Sequence, residues 1–194
     1  MNTKKFLEIM KTMEKLKCNT RHSWTSNGRH ESVAEHSWQL AMMALLVQDE
    51  FPDADMNKVI HMCLIHDLGE AITGDIPAFE KTSAHEENEI KLLMDWISSF
   101  PEPYYEKFTK LYQEMEALQT EEAKIYKALD KLEAVIQHNH ADISTWIPLE
   151  YELQFTYGEK HVEFSEYLKS LKEEIDHQTR DIIEKQSNIE EQVI

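Results

Sequence analysis

His66 and Asp67 put an imidazole and a carboxylate side by side at the end of an apolar run that carries Val59, Ile60, Cys63 and Leu64. Polar groups in so dry a setting are costly unless something pairs with them. Neighbouring side chains on a helix point about 100° apart, so these two converge only on an ion seated against that helix, with other helices supplying the remaining ligands. His36 in an earlier segment and Asp130 in a later one lie in stretches that otherwise bury aliphatic residues. Two imidazoles and two carboxylates suit one first-row divalent ion with open water positions, such as Mn, Fe, Co, Ni or Zn. Taken singly, each has a plainer reading. His66-Asp67 reads as a hydrogen-bonded pair, His36 as a core histidine bonded to backbone, and Asp130 as a surface salt bridge with Lys127 or Lys131.

The elements that must position these residues are all helical. Phe6, Ile9, Met10, Met13 and Leu16 mark one face of a first helix, followed by a polar loop over residues 19–30. Ser32-Val33-Ala34-Glu35 matches a Ser-x-x-Glu capping box, so a second helix starts near Ser32 and holds His36 in or just after its first turn. A third starts at Asp55 and runs inward as far as His66-Asp67-Leu68, ending in the turn-rich stretch from Gly69 to Pro77. Ser83-Ala84-His85-Glu86 offers another capping box, and helical runs follow over 102–118 and 120–138. In the second of these, Asp130 sits beside the stripe of Ile125, Leu129, Leu132 and Ile136. A loop at Trp146-Ile147-Pro148 leads to a last amphipathic helix over 162–183 with a polar tail.

Composition agrees with an all-α chain: 4 Gly and 5 Pro stand against 9 Met in 194 residues. The formal charge of -17 argues against binding a nucleic-acid backbone, which demands clustered Lys and Arg. A small anionic substrate stays open, provided that a metal and one or two basic residues build a local positive centre. Cys18 and Cys63 read as free thiols of a reducing, cytoplasmic compartment, and the N-terminus shows neither a signal-peptide core nor a membrane span. Apolar residues left over on the 102–118 helix would allow a homodimer. Trp38, Met42 and Met43 read as core filling, and His30, His61, His85, His138 and His140 as surface histidines.

The order His36, then His66-Asp67 thirty residues on, then Asp130 on a late helix resembles the H…HD…D pattern of the HD superfamily of metal-dependent phosphohydrolases. The strings Glu31-Ser32-Val33-Ala34-Glu35-His36-Ser37, His66-Asp67-Leu68-Gly69-Glu70, Thr73-Gly74-Asp75-Ile76-Pro77 and Leu129-Asp130-Lys131-Leu132-Glu133-Ala134 are similar to its bacterial 5′-deoxynucleotidase subgroup and eukaryotic relatives. The resemblance implies one HD domain over residues 1–194, with a motif-bearing core over 21–139. It implies a helical bundle with one divalent ion between core helices, held by His36, His66, Asp67 and Asp130.

The activity it implies is hydrolysis of (deoxy)nucleoside 5′-monophosphates. Alternatives are attack on a nucleotide triphosphate or guanosine polyphosphate, or a nucleotide-sensing module with a structural metal. Glu70 follows His66 by four residues and Asp67 by three, which on a continuing helix puts it on the ligand side. The resemblance gives Glu70 and Asp75 the proton transfers; their plainer readings are a solvent-facing carboxylate and a turn residue. Arg21 falls where the subgroup carries a phosphate-binding arginine, and Lys81 is a second phosphate-contact candidate, with an exposed helix-leading lysine as its plainer reading. The subgroup has Trp directly after the arginine. Here His22 follows, with Trp24 two residues on, which leaves sugar and base recognition open.

Overall fold

The computed structural model describes residues 1–192, and the last two positions of the expected polar tail lie outside the described residues. Among the described residues the chain is helical apart from connecting turns and one two-stranded sheet. It forms two compact units. The first comprises Met1–His22 and Glu31–Tyr126; the second comprises Ser23–His30 and the chain from Lys127 onward. No helix among the described residues is long and apolar enough to cross a membrane.

The first unit opens with α1 (Thr3–Met13), capped by Asn2. Only part of its expected apolar face turns inward: Ile9 is buried, whereas Phe6 and Met10 are exposed. The polar stretch expected to be a loop is instead a hairpin of β1 (Thr20–Trp24) and β2 (His30–Ser32). Its strands lack clean alternation of apolar and polar residues, so periodicity gave no sign of them. Backbone pairing forms the hairpin, and at its tip Thr25 N–H donates to the Arg29 carbonyl at 2.7 Å.

Helix α2 (Val33–Leu46) begins with the expected capping box: Ser32 Oγ accepts from Glu35 N–H at 3.3 Å, and Glu35 Oε2 accepts from Ser32 N–H at 2.9 Å. The cap sets the helix register, and that register buries Val33, His36, Ser37, Leu40 and Ala44. Trp38 falls on the opposite side, 62% exposed, with Met42 also exposed; this corrects their reading as core filling.

Helix α3 (Met56–Ile65), capped by Asp55, packs on α2 through Val59, Met62 and Cys63. It ends at Ile65, before His66-Asp67-Leu68. The chain there tightens into a turn in which Leu68 N–H donates to Ile65 C=O and Glu70 N–H to Asp67 C=O, both at 3.0 Å. The short α4 (Glu70–Thr73) follows and stops at Gly74, whose φ of 80° and ψ of 164° lie in a region open essentially to glycine alone. Helix α5 (Ser83–Ile97) is capped by Thr82, with the His85 ring accepting from Thr82 N–H, so the capping box begins one residue earlier than expected. Then come α6 (Tyr104–Ala117) and the start of α7 (Glu121–His140).

The second unit is built on the rest of α7, followed by α8 (Glu150–Thr156), α9 (Glu159–Val162) and α10 (Glu166–Gln192). Leu129, Leu132, Val135, Trp146, Leu168 and Ile175 form its core. The two short helices break up the segment after Trp146, and α10 starts later and runs further than the expected 162–183. The buried ammonium of Lys172 ties α10 to α8 by donating to the carbonyls of Gln154 (3.2 Å) and Phe155 (2.9 Å) while it pairs with Asp176. His138 is half-buried, with Nε2 3.4 Å from Glu150 Oε1, so it is more than the surface histidine expected.

Candidate metal centre and active site

Three predicted ligand atoms meet in the first unit. His66 Nε2 lies 3.0 Å from Asp67 Oδ2 and 3.1 Å from His36 Nε2, and His36 Nε2 lies 3.8 Å from Asp67 Oδ2. His36 reaches this point from the buried side of α2, and His66-Asp67 from the turn after α3. The turn is held at both ends. Tyr112 Oη on α6 donates to the Ile65 carbonyl, and Asn19 Nδ2 donates to the Glu70 carbonyl. Nothing in the spacing of Asn19 or Tyr112 marked either as part of the site.

The donor set fits a first-row divalent ion. At bond lengths of about 2.1 Å, donors roughly 3 Å apart subtend about a right angle at the ion. His66 is prepared for that role: its Nδ1 lies 2.9 Å from the Cys63 carbonyl, which can only accept, so Nδ1 carries the proton and Nε2 presents its lone pair. The ring of Tyr126 stands 5.7 Å from that of His66 and limits its swing.

Glu70 is buried rather than solvent-facing, 4% exposed, and its Oε2 has no hydrogen-bond partner among the described residues. Burial first, and then the carboxylates of Asp67, Asp75 and Glu89, push its carboxyl up to about 10, with Arg21 pulling the other way. Asp75 is half-buried just past Gly74. Burial raises its pKa and Asp67 adds to the rise, against the opposing charges of Arg21, Lys81 and His36. The site is thus a crowded patch of carboxylates in want of positive charge.

Arg21 on β1 pairs through Nη1 with Glu31 Oε2 at 3.2 Å, and Glu31 is itself buried. Lys81 is half-buried and pairs with Glu89 Oε2 at 2.8 Å, so it is not the exposed helix-leading lysine of the plainer reading. His22 meets the ring of Phe79 edge-on at 5.4 Å, while Trp24 stacks on His30 at 4.0 Å. Asp130 belongs to the second unit, where Oδ2 lies 3.1 Å from Lys127 Nζ and 3.6 Å from Lys131 Nζ. Both lysines named in its plainer reading are therefore within reach of it.

A family model described as HD domain matches residues 13–172. The chain belongs to the HD-domain family. This HD-domain chain is 33% identical over 175 residues to the 5'-deoxynucleotidase HDDC2 of Danio rerio, a match covering 87% of the chain and 86% of that protein. It is 30% identical over 142 residues to the 5'-deoxynucleotidase HDDC2 of Dictyostelium discoideum, covering 68% of the chain and 75% of the relative. Among solved structures it is similar to a predicted metal-dependent phosphohydrolase from Magnetospirillum magnetotacticum MS-1, with a TM-score of 0.77 and 25% identity over 91% of this chain and 92% of the other. A conserved hypothetical protein from Pyrococcus furiosus matches with a TM-score of 0.68 and 30% identity over 90% and 99% of the two chains. The helical HD fold is therefore shown for this chain, and the family's chemistry, together with the three converging donors, implies a divalent metal.

Proposed function

We infer that this HD-domain chain is an enzyme, a metal-dependent phosphomonoesterase that hydrolyses (deoxy)nucleoside 5′-monophosphates to nucleoside and phosphate. The observation that carries this reading is the His36–His66–Asp67 cluster with the buried carboxyl of Glu70 next to it in sequence, in a chain similar along most of its length to 5′-deoxynucleotidases. We read the whole chain as one HD domain, since the family match runs through both compact units.

His36, His66 and Asp67 would hold the ion, with Asp130 as the fourth ligand of the family's order. Supporting Asp130 is its place in the string Leu129-Asp130-Lys131-Leu132-Glu133-Ala134, which is similar to the family's late-helix motif. Mn, Co, Fe, Ni and Zn all suit two imidazoles and two carboxylates. When bound, such an ion supplies Lewis acidity toward water and charge neutralisation at the phosphoryl oxygens.

The chain's own residues do the rest. Glu70 exchanges a proton with the attacking water or the leaving oxygen, a task suited to a carboxyl raised well above its ordinary range. Asp75 shares that work from the far side of Gly74, and the Arg21 guanidinium, oriented by Glu31, grips the phosphate. The Tyr112 hydroxyl and the Asn19 side-chain amide, donating to the Ile65 and Glu70 carbonyls of the turn, keep the ligands aligned with these groups.

The -17 charge favours a small nucleotide over a nucleic acid, and we read the enzyme as cytoplasmic. For a homodimer, the apolar surface lies on α2, where Trp38, Leu45 and Leu46 are exposed, more than on α6. The deciding experiment is phosphate release from a panel of ribo- and deoxynucleoside monophosphates with added Mn or Co. Release from a 5′-monophosphate supports the reading; silence across the panel with metal bound would make the chain a nucleotide sensor instead.

A further inference from the structure

We propose that Glu89 is a positioning residue that holds the Lys81 ammonium beside the Asp67, Glu70 and Asp75 carboxylates, making Lys81 the second cation, after Arg21, of a phosphate-binding site. This rests on the reading of the chain as a phosphomonoesterase.

Four observations carry it. First, Lys81 closes the segment that leads from Gly74 and Asp75 to α5. Glu80 N–H and Lys81 N–H both donate to the Pro77 carbonyl, at 2.8 and 3.0 Å, so a turn delivers Lys81 at a defined place. Second, Glu89 reaches it from α5 with Oε2 2.8 Å from Nζ, and the two side chains are 14% and 22% exposed.

Third, Glu89 lies directly on Gly69. A Cβ at position 69 would stand 2.8 Å from Glu89 Cγ and 3.0 Å from Oε1, so the Glu89 side chain would have to shift to admit it. Gly69, in the ligand-bearing turn, thus leaves room for the Glu89 side chain to lie against that turn in the position seen. Fourth, Lys81 feels the charges of Glu70 and Asp67, and Asp75 feels both Arg21 and Lys81, so the two cations act on one carboxylate patch.

The two cations are built alike. Arg21 is oriented by buried Glu31 and Lys81 by Glu89, each carboxylate coming from another element of the same unit. A lysine left free would lose much rotamer freedom on gripping a phosphate, and one held in advance loses less. An ammonium has three protons, so the bond to Glu89 leaves two for phosphate oxygens.

The test measures inorganic phosphate binding to the metal-loaded protein by calorimetry, alongside kcat and KM on a deoxynucleoside monophosphate. The variants are Glu89→Gln, Lys81→Met and the double, with thermal melts confirming that each folds. Each single change should weaken phosphate binding and raise KM about tenfold, the scale of one charge-assisted hydrogen bond. The double should be no worse than Lys81→Met alone, because Glu89 acts through Lys81. Phosphate affinity unchanged in either single variant, or a Glu89→Gln loss as large in the Lys81→Met background as in wild type, overturns the proposal. If the wild type binds phosphate but hydrolyses no monophosphate, the enzyme reading fails while the phosphate affinities still decide the role of Glu89.

Discussion

His66 Nδ1 donates to the Cys63 carbonyl at 2.9 Å, and that one bond decides which face of the imidazole is offered to a cation. The acceptor is a main-chain carbonyl within the last turn of α3, so its position is set by the helix and not by another side chain. Nε2 therefore stays aimed at His36 and Asp67.

Removing one member of this cluster should empty it. Asp67→Ala deletes both a ligand and the negative charge that balances the ion, so the variant is expected to lose its copurifying divalent metal while the wild type holds one per chain. Elemental analysis of both proteins checks this, and full occupancy in the variant would mean that the ligand assignment is wrong.

Glu70 separates holding a metal from using it. Glu70→Gln keeps the shape of a buried side chain but cannot exchange a proton, so metal content should stay while kcat falls by about 10²–10⁴-fold. Metal analysis and steady-state kinetics on the same sample read both quantities. Near-wild-type kcat would pass the proton-transfer role to Asp75 or to water.

Arg21→Ala should show a different signature. Arg21 would hold the phosphate in the ground state and more tightly in the transition state, where charge on the phosphoryl oxygens shifts, so KM is expected to rise as kcat falls. The variant also leaves buried Glu31 without its guanidinium partner, so a lower melting temperature should accompany the kinetic loss. Kinetics unchanged in both parameters would remove Arg21 from the phosphate site.

The raised pKa of Glu70 carries a stability prediction for the metal-free protein. Its carboxyl moves from an ordinary 4.5 when unfolded to about 10 when folded, so between those values the folded state binds the extra proton. The contribution is fully present below the unfolded value and is lost as pH rises toward the folded one, by no more than about 1.4 kcal/mol per pH unit. Glu70→Gln has no proton to lose. In urea denaturation with chelator present, the variant should therefore gain on the wild type progressively from about pH 6 to about pH 9. A constant difference across that range would show that Glu70 is ionised in the fold.

Local rules written into neighbouring residues were legible without any structure. The Ser32–Glu35 box and the Asp55 cap set the starts of α2 and α3, and the helical spacing of Val59, Cys63, Leu129 and Leu132 marked buried faces. These place His36 one turn into its helix and His66-Asp67 at the end of the next, and the four family strings name the chemistry. What depended on distant partners was not legible. The hairpin over 20–32 has too little alternation to announce itself, and Trp38 points outward because the cap-set register of α2 gives the inner side to His36 and Leu40. Glu70 is buried because the chain turns tightly after Ile65 and is gripped there by Tyr112 and Asn19, residues far away along the chain. Glu89 packs against Gly69, twenty residues away along the chain, while it pairs with Lys81, a pair of contacts that only the fold brings together. The sequence by itself determined which residue types could bind a metal and hydrolyse a phosphate. Their convergence, their burial and the charges that shift them were decided by the tertiary structure, since such effects fall off over a few ångströms in space and have no fixed period along the chain.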